Sequence, residues 1–181
     1  GHTYGVYYPN YEGDSSRLVY WSCYNFTRYQ AGQTYATCSP DVAGITLQNP
    51  TSGASRSFPI TFQWASRGLA GDWYEVYVRR YDPSYAYYYS PSTTGASYTL
   101  TSLPAGFSYG PTNYWSVNVW NDSGYGASYY MNALIFSSSL TDLSTTAEPE
   151  RVNDNLWLME KGQLAPERSP DYHQRGDTRL P

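Results

Sequence analysis

Few residues of this 181-residue chain could carry out acid–base or nucleophilic chemistry. The two histidines are His2 near the amino terminus and His173 near the carboxyl terminus, and both lie outside the segments with strand-like patterns. A Ser-His-Asp or Cys-His arrangement needs a histidine that a rigid frame holds in place. The seven carboxylates before residue 140 lie mostly in turn-like segments, where Asp is common for conformational reasons. The sequence therefore predicts no catalytic residues and a protein that is not an enzyme.

Sequence motifs for metals, cofactors and phosphate groups are also absent. The chain has no Gly-rich phosphate loop, HExxH, EF-hand, CxxC or Cys/His cluster, so we expect no metal and no cofactor. Eleven Lys and Arg against fifteen Asp and Glu give a formal charge of −4, which offers no positive field for nucleic acid. No window approaches the roughly 18 apolar residues of a membrane span, so no transmembrane segment is predicted.

The two cysteines, Cys23 and Cys38, are the only ones in the chain. Their spacing suits a disulfide across a hairpin that turns at residues 30–32, and closing a loop of about 15 residues contributes roughly 3 kcal/mol in the chain-entropy model. Free buried thiols are the alternative. A disulfide would indicate an extracellular or cell-surface location. Asn25 and Asn121 match the glycosylation triplet, a pattern that also arises often by chance.

The positive signal is the excess of aromatic residues: 22 Tyr, 6 Trp and 5 Phe. In a strand, alternate side chains point to opposite faces, so a strand at 74–81 places one row outward, and further tyrosines follow it directly. Flat amphipathic rings are enriched where proteins bind other molecules. The alternative is that Tyr simply favours strands and that some rows are covered by the amino-terminal strands. The predicted interaction face consists of Tyr77, Tyr81, Tyr85, Tyr87, Tyr89 and Trp120.

The elements that must position these rings are strands. Apolar and polar residues alternate over 60–64, 74–79 and 115–119, and Gly, Pro, Asn and Asp cluster between these segments. No helical periodicity appears before residue 140. The sequence therefore predicts an all-β, antiparallel sandwich or barrel.

Residues from about 44 to 139 resemble a fibronectin type III-like domain of bacterial secreted and surface proteins. The resemblance is carried by Pro-Ile-Thr-Phe-Gln-Trp at 59–64, Tyr-x-Val-x-Val at 74–78, the run at 97–106, Tyr-Trp-Ser-Val-Asn-Val-Trp-Asn at 114–121 and Gly-Tyr-Gly at 124–126. It implies an Ig-like sandwich. Asn113 stands where the family has a tyrosine, so Tyr109 replaces the usual tyrosine corner or the corner is missing. The expected core consists of Phe62, Trp64, Tyr74, Val76, Val78, Leu100, Trp115, Val117 and Val119.

Composition divides the chain into three parts. Residues 1–43 form an amino-terminal strand or hairpin extension, 44–139 the sandwich, and 140–181 a charged, Pro-containing tail. Because 43 residues do not readily form a core, the extension should lengthen the sandwich, pack on its face or pair with another molecule. Within the tail, segment 153–164 contains the one apolar run able to dock, which is Leu156, Trp157, Leu158 and Met159.

These observations favour a non-catalytic, extracellular structural or adhesive subunit. Strand addition and tyrosine-rich faces would join neighbouring copies into a homo-oligomer or filament, with residues 3–8 and 155–159 as strand donors. The alternative is a carbohydrate-binding module whose outward Tyr and Trp rings stack on a glycan.

Overall fold

The structure, a computed structural model, describes residues 3–4, 6–23, 27–28, 31–34, 41–138 and 150–151. Over these ranges the chain forms only strands and connecting loops, which confirms the predicted all-β class. Within the same ranges there is no helix of the length and apolarity that a membrane crossing requires. The strands are β1 (Thr3–Tyr4), β2 (Tyr7–Pro9), β3 (Tyr20–Cys23), β4 (Thr27–Arg28), β5 (Thr46–Asn49), β6 (Ala54–Arg56), β7 (Ile60–Ala65), β8 (Trp73–Arg80), β9 (Ala86–Tyr89), β10 (Ser97–Leu100), β11 (Thr112–Asn121), β12 (Gly124–Ala127), β13 (Tyr130–Phe136) and β14 (Glu150–Arg151).

The strands lie mainly in two sheets. The smaller sheet has the antiparallel order β10-β7-β5. In the larger sheet β9 pairs with β8 and β8 with β11, and β11 pairs along its first part with β13 and along its second part with β12. Between β12 and β13, Ser128 accepts and donates hydrogen bonds with the backbone of Val117, so the last strand bends there. The short strand β14 pairs with β13, and β1 and β4 form a separate antiparallel pair.

One pairing breaks the predicted antiparallel pattern. After β5 the chain passes from the smaller sheet to the larger one through residues 50–53, and Gly53, with φ of 81°, ends this turn. β6 then runs parallel to β13, with Leu134 opposite Ala54 and Phe136 opposite Arg56. The larger sheet is therefore mixed, because a strand that changes sheets need not reverse its direction.

The predicted core is confirmed residue by residue. All nine expected side chains are buried and belong to one apolar cluster between the two sheets. The ring centroids of Phe62 and Trp115 lie 5.1 Å apart, and Trp115 Nε1 donates to the Pro50 carbonyl oxygen at 3.1 Å. Since each fully buried side chain of this size contributes about 1.5–3 kcal/mol of transfer free energy, this cluster is the main stabilising feature of the fold.

Part of the amino-terminal extension lengthens the larger sheet. β3 pairs with β12 and β2 pairs with β3. Leu18, Trp21 and Cys23 are buried in the same core as the sandwich residues. The close approach depends on Gly124 and Gly126, since a Cβ on either would overlap the backbone oxygen of Ser22 or Tyr20. Of the three alternatives for the extension, the first therefore holds for residues 7–23.

Tyr109 does not replace the missing corner tyrosine. Its side chain is largely exposed, and its ring packs against Phe58 with centroids 6.4 Å apart. The buried Asn113 instead donates hydrogen bonds from Nδ2 to the carbonyl oxygens of Pro111 and Leu134. An amide thus connects this loop to β13.

Candidate functional site: an aromatic sheet face

The outer face of the larger sheet, turned away from the core, carries a group of tyrosines that we call the tyrosine face. Alternation along β8 buries Tyr74, Val76 and Val78 in the core and so places the intervening residues on the outer side. Cross-strand register brings Tyr77 opposite Tyr89 and Arg79 opposite both Tyr87 and Tyr114. The tyrosine face consists of Tyr77, Tyr81, Tyr85, Tyr87, Tyr89 and Tyr114.

The rings of the tyrosine face form one connected layer. Tyr77 stacks on Tyr89 with centroids 4.7 Å apart and planes at 25°. The layer continues from Tyr89 to Tyr87 at 5.9 Å, from Tyr87 to Tyr85 at 6.0 Å and from Tyr85 to Tyr81 at 6.3 Å. Tyr77 and Tyr85 also approach through their hydroxyls, at 3.4 Å. The structure thus brings together five of the six residues predicted for the interaction face.

Exposure separates this layer into a supporting part and a presented part. Tyr81, Tyr85 and Tyr87 are 41–55% exposed, whereas Tyr77 and Tyr89 are half-buried. Burial raises the pKa of the Tyr77 hydroxyl, and its hydrogen bond to Tyr85 acts in the same direction. The presented rings therefore rest on others whose orientation is fixed by packing, an arrangement with little rotational freedom left to lose on binding.

A buried guanidinium lies beneath the layer. The alternation of β8 predicts that Arg79 points to the outer face, and it does so, but the residue is almost completely buried there. Its Cζ lies 4.4 Å from the centroid of the Tyr81 ring, a cation–π geometry. The covering rings hide the charge, so the tyrosine face presents phenol groups to solvent.

Tyr88 points to the other side of β9 and joins the two sheets. It packs against the core, and its hydroxyl lies 2.6 Å from that of Tyr98 on β10. Burial raises the pKa of the Tyr88 hydroxyl, with the hydrogen bond to Tyr98 as the second cause. Among the consecutive tyrosines 87–89, the middle one is therefore structural.

Trp120, the sixth predicted residue, lies at the opposite end of the same sheet face. In register it stands opposite Trp73, and the next pair on this face of the sheet is Asn118 with Glu75. Glu75 lies on the outer side of β8, as the alternation predicts, but only 8% of its surface is accessible, and burial raises its pKa to about 7. The predicted interaction face thus divides into the tyrosine face and a second group around Trp73 and Trp120.

A small second core explains why this outer face is partly covered. Val19, Ala127, Tyr129 and Met131 are buried together outside the larger sheet, and half-buried rings that include Tyr77 pack against them. Val19 comes from the amino-terminal extension, over 50 positions before the tyrosine face. Tyr77 and Tyr114 therefore connect this second core to the exposed tyrosines.

The remaining candidate sites have separate outcomes. Asn121 is half-buried, and its Nδ2, the atom to which a glycan would be attached, donates to Asp72 Oδ1 at 3.0 Å. Cys23 is buried, whereas Cys38 lies outside the described residues, so the predicted disulfide stays a prediction. Also outside the described residues are Asn25 and the docking segment Leu156, Trp157, Leu158 and Met159.

Two features of the site were not predicted from the sequence, although one of them is visible in it. From Pro83 to Asn121 the chain contains no charged residue, and this run supplies β9, β10 and β11. The length of this uncharged run indicates a surface without charge repulsion. Trp73 and Asn118 were missed because their pairing depends on the register between β8 and β11. Over the described residues, no group of three or more His, Cys, Asp or Glu side chains could hold a metal ion.

Comparison with known proteins identifies no relative: no family model, no curated protein and no solved structure matches the chain.

Proposed function

We propose that this protein is a non-catalytic structural or adhesive subunit, extracellular or on a cell surface, whose copies associate through the tyrosine face. The observation that carries the proposal is the connected layer of tyrosine rings in which Tyr81, Tyr85 and Tyr87 are held about half exposed. Exposed rings that cluster on one face are typical of binding surfaces, whereas single exposed apolar residues need no explanation.

A second copy of the chain is the partner that the surrounding surface favours. Strands β9 and β11 of the tyrosine face come from the uncharged run at 83–121, and Arg79 of β8 is covered, so little like-charge repulsion opposes the approach of a second copy. A partner of strongly basic or acidic character would find no complementary charge on the exposed surface of this layer, since Arg79 is covered. Phenol hydroxyls at the rim can donate to and accept from the same groups of a neighbour.

Strand addition would extend such contacts into a filament. The smaller sheet ends at β10 and β5, and β10 carries none of the lysines or prolines that guard edge strands in many proteins. A neighbouring segment that adds to β10 would gain main-chain hydrogen bonds, and residues 155–159 remain the proposed donor. A contact that joins different surfaces of successive copies forms a fibre when its rotation does not close into a ring.

The fold family proposed for residues 44–139 remains fibronectin type III-like. What supports it is the strand order, with β10-β7-β5 in one sheet and β9-β8-β11 followed by β12 and β13 in the other. The proposed extracellular location rests on a Cys23–Cys38 disulfide. Mass spectrometry of a non-reduced digest tests it: a cross-linked peptide pair is expected, and free thiols at both positions would contradict the location.

The experiment that tests the proposed function compares two sets of tyrosine variants by size-exclusion chromatography with light scattering. The triple variant Tyr81→Ser, Tyr85→Ser, Tyr87→Ser removes the presented rings. Because truncating a central aromatic residue of an interface commonly costs more than about 1 kcal/mol, three truncations should weaken association on the order of 100-fold. The control is the double variant Tyr11→Ser, Tyr109→Ser, which removes exposed rings elsewhere and should associate like the unmodified protein.

Two outcomes would contradict the proposal. The first outcome is that the unmodified protein stays monomeric at all concentrations. The other is association that both sets of variants weaken equally, because this would mean that exposed rings act without regard to their position.

A further inference from the structure

A buried carboxyl group without a partner lies on the outer face of β8. Only 8% of the Glu75 surface is accessible to solvent. Among the described residues, its carboxylate makes no hydrogen bond and no ion pair. Removing a carboxylate from water without a compensating partner is costly. Such groups are kept mainly where a ligand, ion or partner completes them.

The residue opposite Glu75 is also a polar group without a partner. Register places Asn118 of β11 beside Glu75, and the half-buried Asn118 amide makes no hydrogen bond among the described residues. An amide offers two N–H donors and a carbonyl acceptor, and the neighbouring Glu75 carboxyl group accepts when ionised and also donates when protonated. Together they form a set of donors and acceptors that can bind a group able both to donate and to accept.

Aromatic rings flank this polar pair on both sides. The next pair on the same face is Trp73, which is 40% exposed, opposite the half-buried Trp120. On the other side lies Tyr77, stacked on Tyr89. Side chains two residues apart on one strand face are roughly 6.6–6.8 Å apart. A molecule of the width of one sugar ring can therefore contact the polar pair and an indole at once.

We propose that Glu75, Asn118, Trp73 and Trp120 form a carbohydrate-binding site for a neutral sugar. The hydroxyls of the sugar would bind the Asn118 amide and the Glu75 carboxyl group, and the apolar face of its ring would lie on the Trp73 indole. This site is distinct from the tyrosine face and does not depend on self-association.

The chemistry of the site favours a neutral sugar over charged ligands. A sugar hydroxyl donates and accepts, so it can satisfy both polar side chains, whereas a cation would leave the N–H donors of Asn118 unmatched. An acidic sugar or a phosphate would be repelled by the Glu75 carboxylate in its ionised form, which predominates above a pH of about 7. The nearest buried cation on this strand, Arg79, lies beneath the Tyr81 ring and cannot offset that repulsion.

A glycan array with neutral and acidic oligosaccharides, followed by calorimetric titration with the best neutral glycan, tests the site. Asn118→Ala and Trp73→Ala are each expected to weaken binding at least about 10-fold. Glu75→Met removes the carboxyl group but keeps an unbranched side chain of similar size, so the variant should fold while its binding falls by a similar factor. The control Tyr109→Ser removes an exposed ring that lies outside both surfaces and should bind the glycan unchanged. Circular dichroism of each variant separates lost binding from lost folding.

Three results would overturn the proposal: no neutral glycan retains the protein, only acidic glycans do, or the affinity for the neutral glycan is unchanged in Glu75→Met and Asn118→Ala. Loss of binding in Tyr85→Ser with retention in Glu75→Met would likewise overturn it, because the sugar would then lie on the tyrosine face.

Discussion

Asp72 accepts hydrogen bonds from three side chains, and replacing it by alanine is expected to lower the free energy of unfolding by about 3–5 kcal/mol. Arg67 donates to it twice, from Nε at 2.8 Å and from Nη2 at 2.7 Å. Asn121 Nδ2 donates at 3.0 Å and the Tyr74 hydroxyl at 3.2 Å. The side chains of Arg67 and Asp72 are 0% and 1% exposed, so water cannot replace the lost carboxylate.

The magnitude follows from what Asp72→Ala leaves behind. The Arg67 guanidinium would stay buried with a backbone acceptor at Asp41 and the Trp21 ring, whose centroid lies 5.0 Å from Cζ. Neither carries a full negative charge, so the desolvation cost of the cation is no longer offset. This cost explains why removing one member of a buried ion pair is far more damaging than removing an exposed charge.

Urea unfolding followed by tryptophan fluorescence measures the effect. With an m-value of about 2 kcal/mol/M, the expected loss moves the midpoint down by roughly 1.5–2.5 M. The matched control is Glu12→Ala, an exposed carboxylate, which should change stability by less than about 0.5 kcal/mol. A loss below about 1 kcal/mol for Asp72→Ala at unchanged m-value, or an equal loss for Glu12→Ala, would refute the reasoning.

Three further changes have defined outcomes. Gly126→Ala should lower the free energy of unfolding by about 2 kcal/mol or more in a urea titration, because its Cβ would overlap the Tyr20 backbone. A Cβ at Gly95 has room, so Gly95→Ala should be close to neutral. Equal losses for the two variants would contradict this. Tyr88→Phe and Tyr98→Phe should each cost about 1 kcal/mol and the double variant no more than either, so additive losses in the double-mutant cycle would disprove the hydroxyl–hydroxyl bond. Burial raises the pKa of Glu75 from 4.5 to about 7, so its contribution to the free energy of unfolding is fully present below pH 4.5 and is lost as the pH rises to 7. Relative to Glu75→Gln, the unmodified protein should lose on the order of 3 kcal/mol of unfolding free energy between pH 4 and pH 8. Parallel pH profiles of the two proteins would rule this out.

The core and the existence of the tyrosine face follow from sequence because both depend on local periodicity. A period of two residues fixes which side of a strand each residue takes, and this suffices to place Tyr74, Val76 and Val78 inside and Tyr77 outside. The same rule cannot say what lies above a face. Arg79 is buried beneath the Tyr81 ring and Glu75 is buried as well, and periodicity within β8 carries no information on what covers either side chain.

Contacts between distant parts of the chain account for the other differences. The parallel pairing of β6 with β13 joins residues about 80 positions apart. Asp72 has the sequence context of an ordinary turn residue, and its buried role depends on Arg67, Asn121 and the tryptophan at position 21. Likewise, Trp73 and Asn118 become neighbours of Trp120 and Glu75 only when the register between β8 and β11 is set. None of these relations leaves a trace in local spacing.

Chemical footprinting of tyrosines tests the central claim, self-association through the tyrosine face, most directly. The intact chain is nitrated briefly at low and at high protein concentration, and the modified positions are quantified by mass spectrometry. Tyr81, Tyr85 and Tyr87 should become protected as the concentration rises, while Tyr11 and Tyr109, which are 72% and 48% exposed elsewhere, should react equally at both concentrations. Unchanged reactivity at all five positions, or protection at Tyr11 and Tyr109 instead, would contradict the claim.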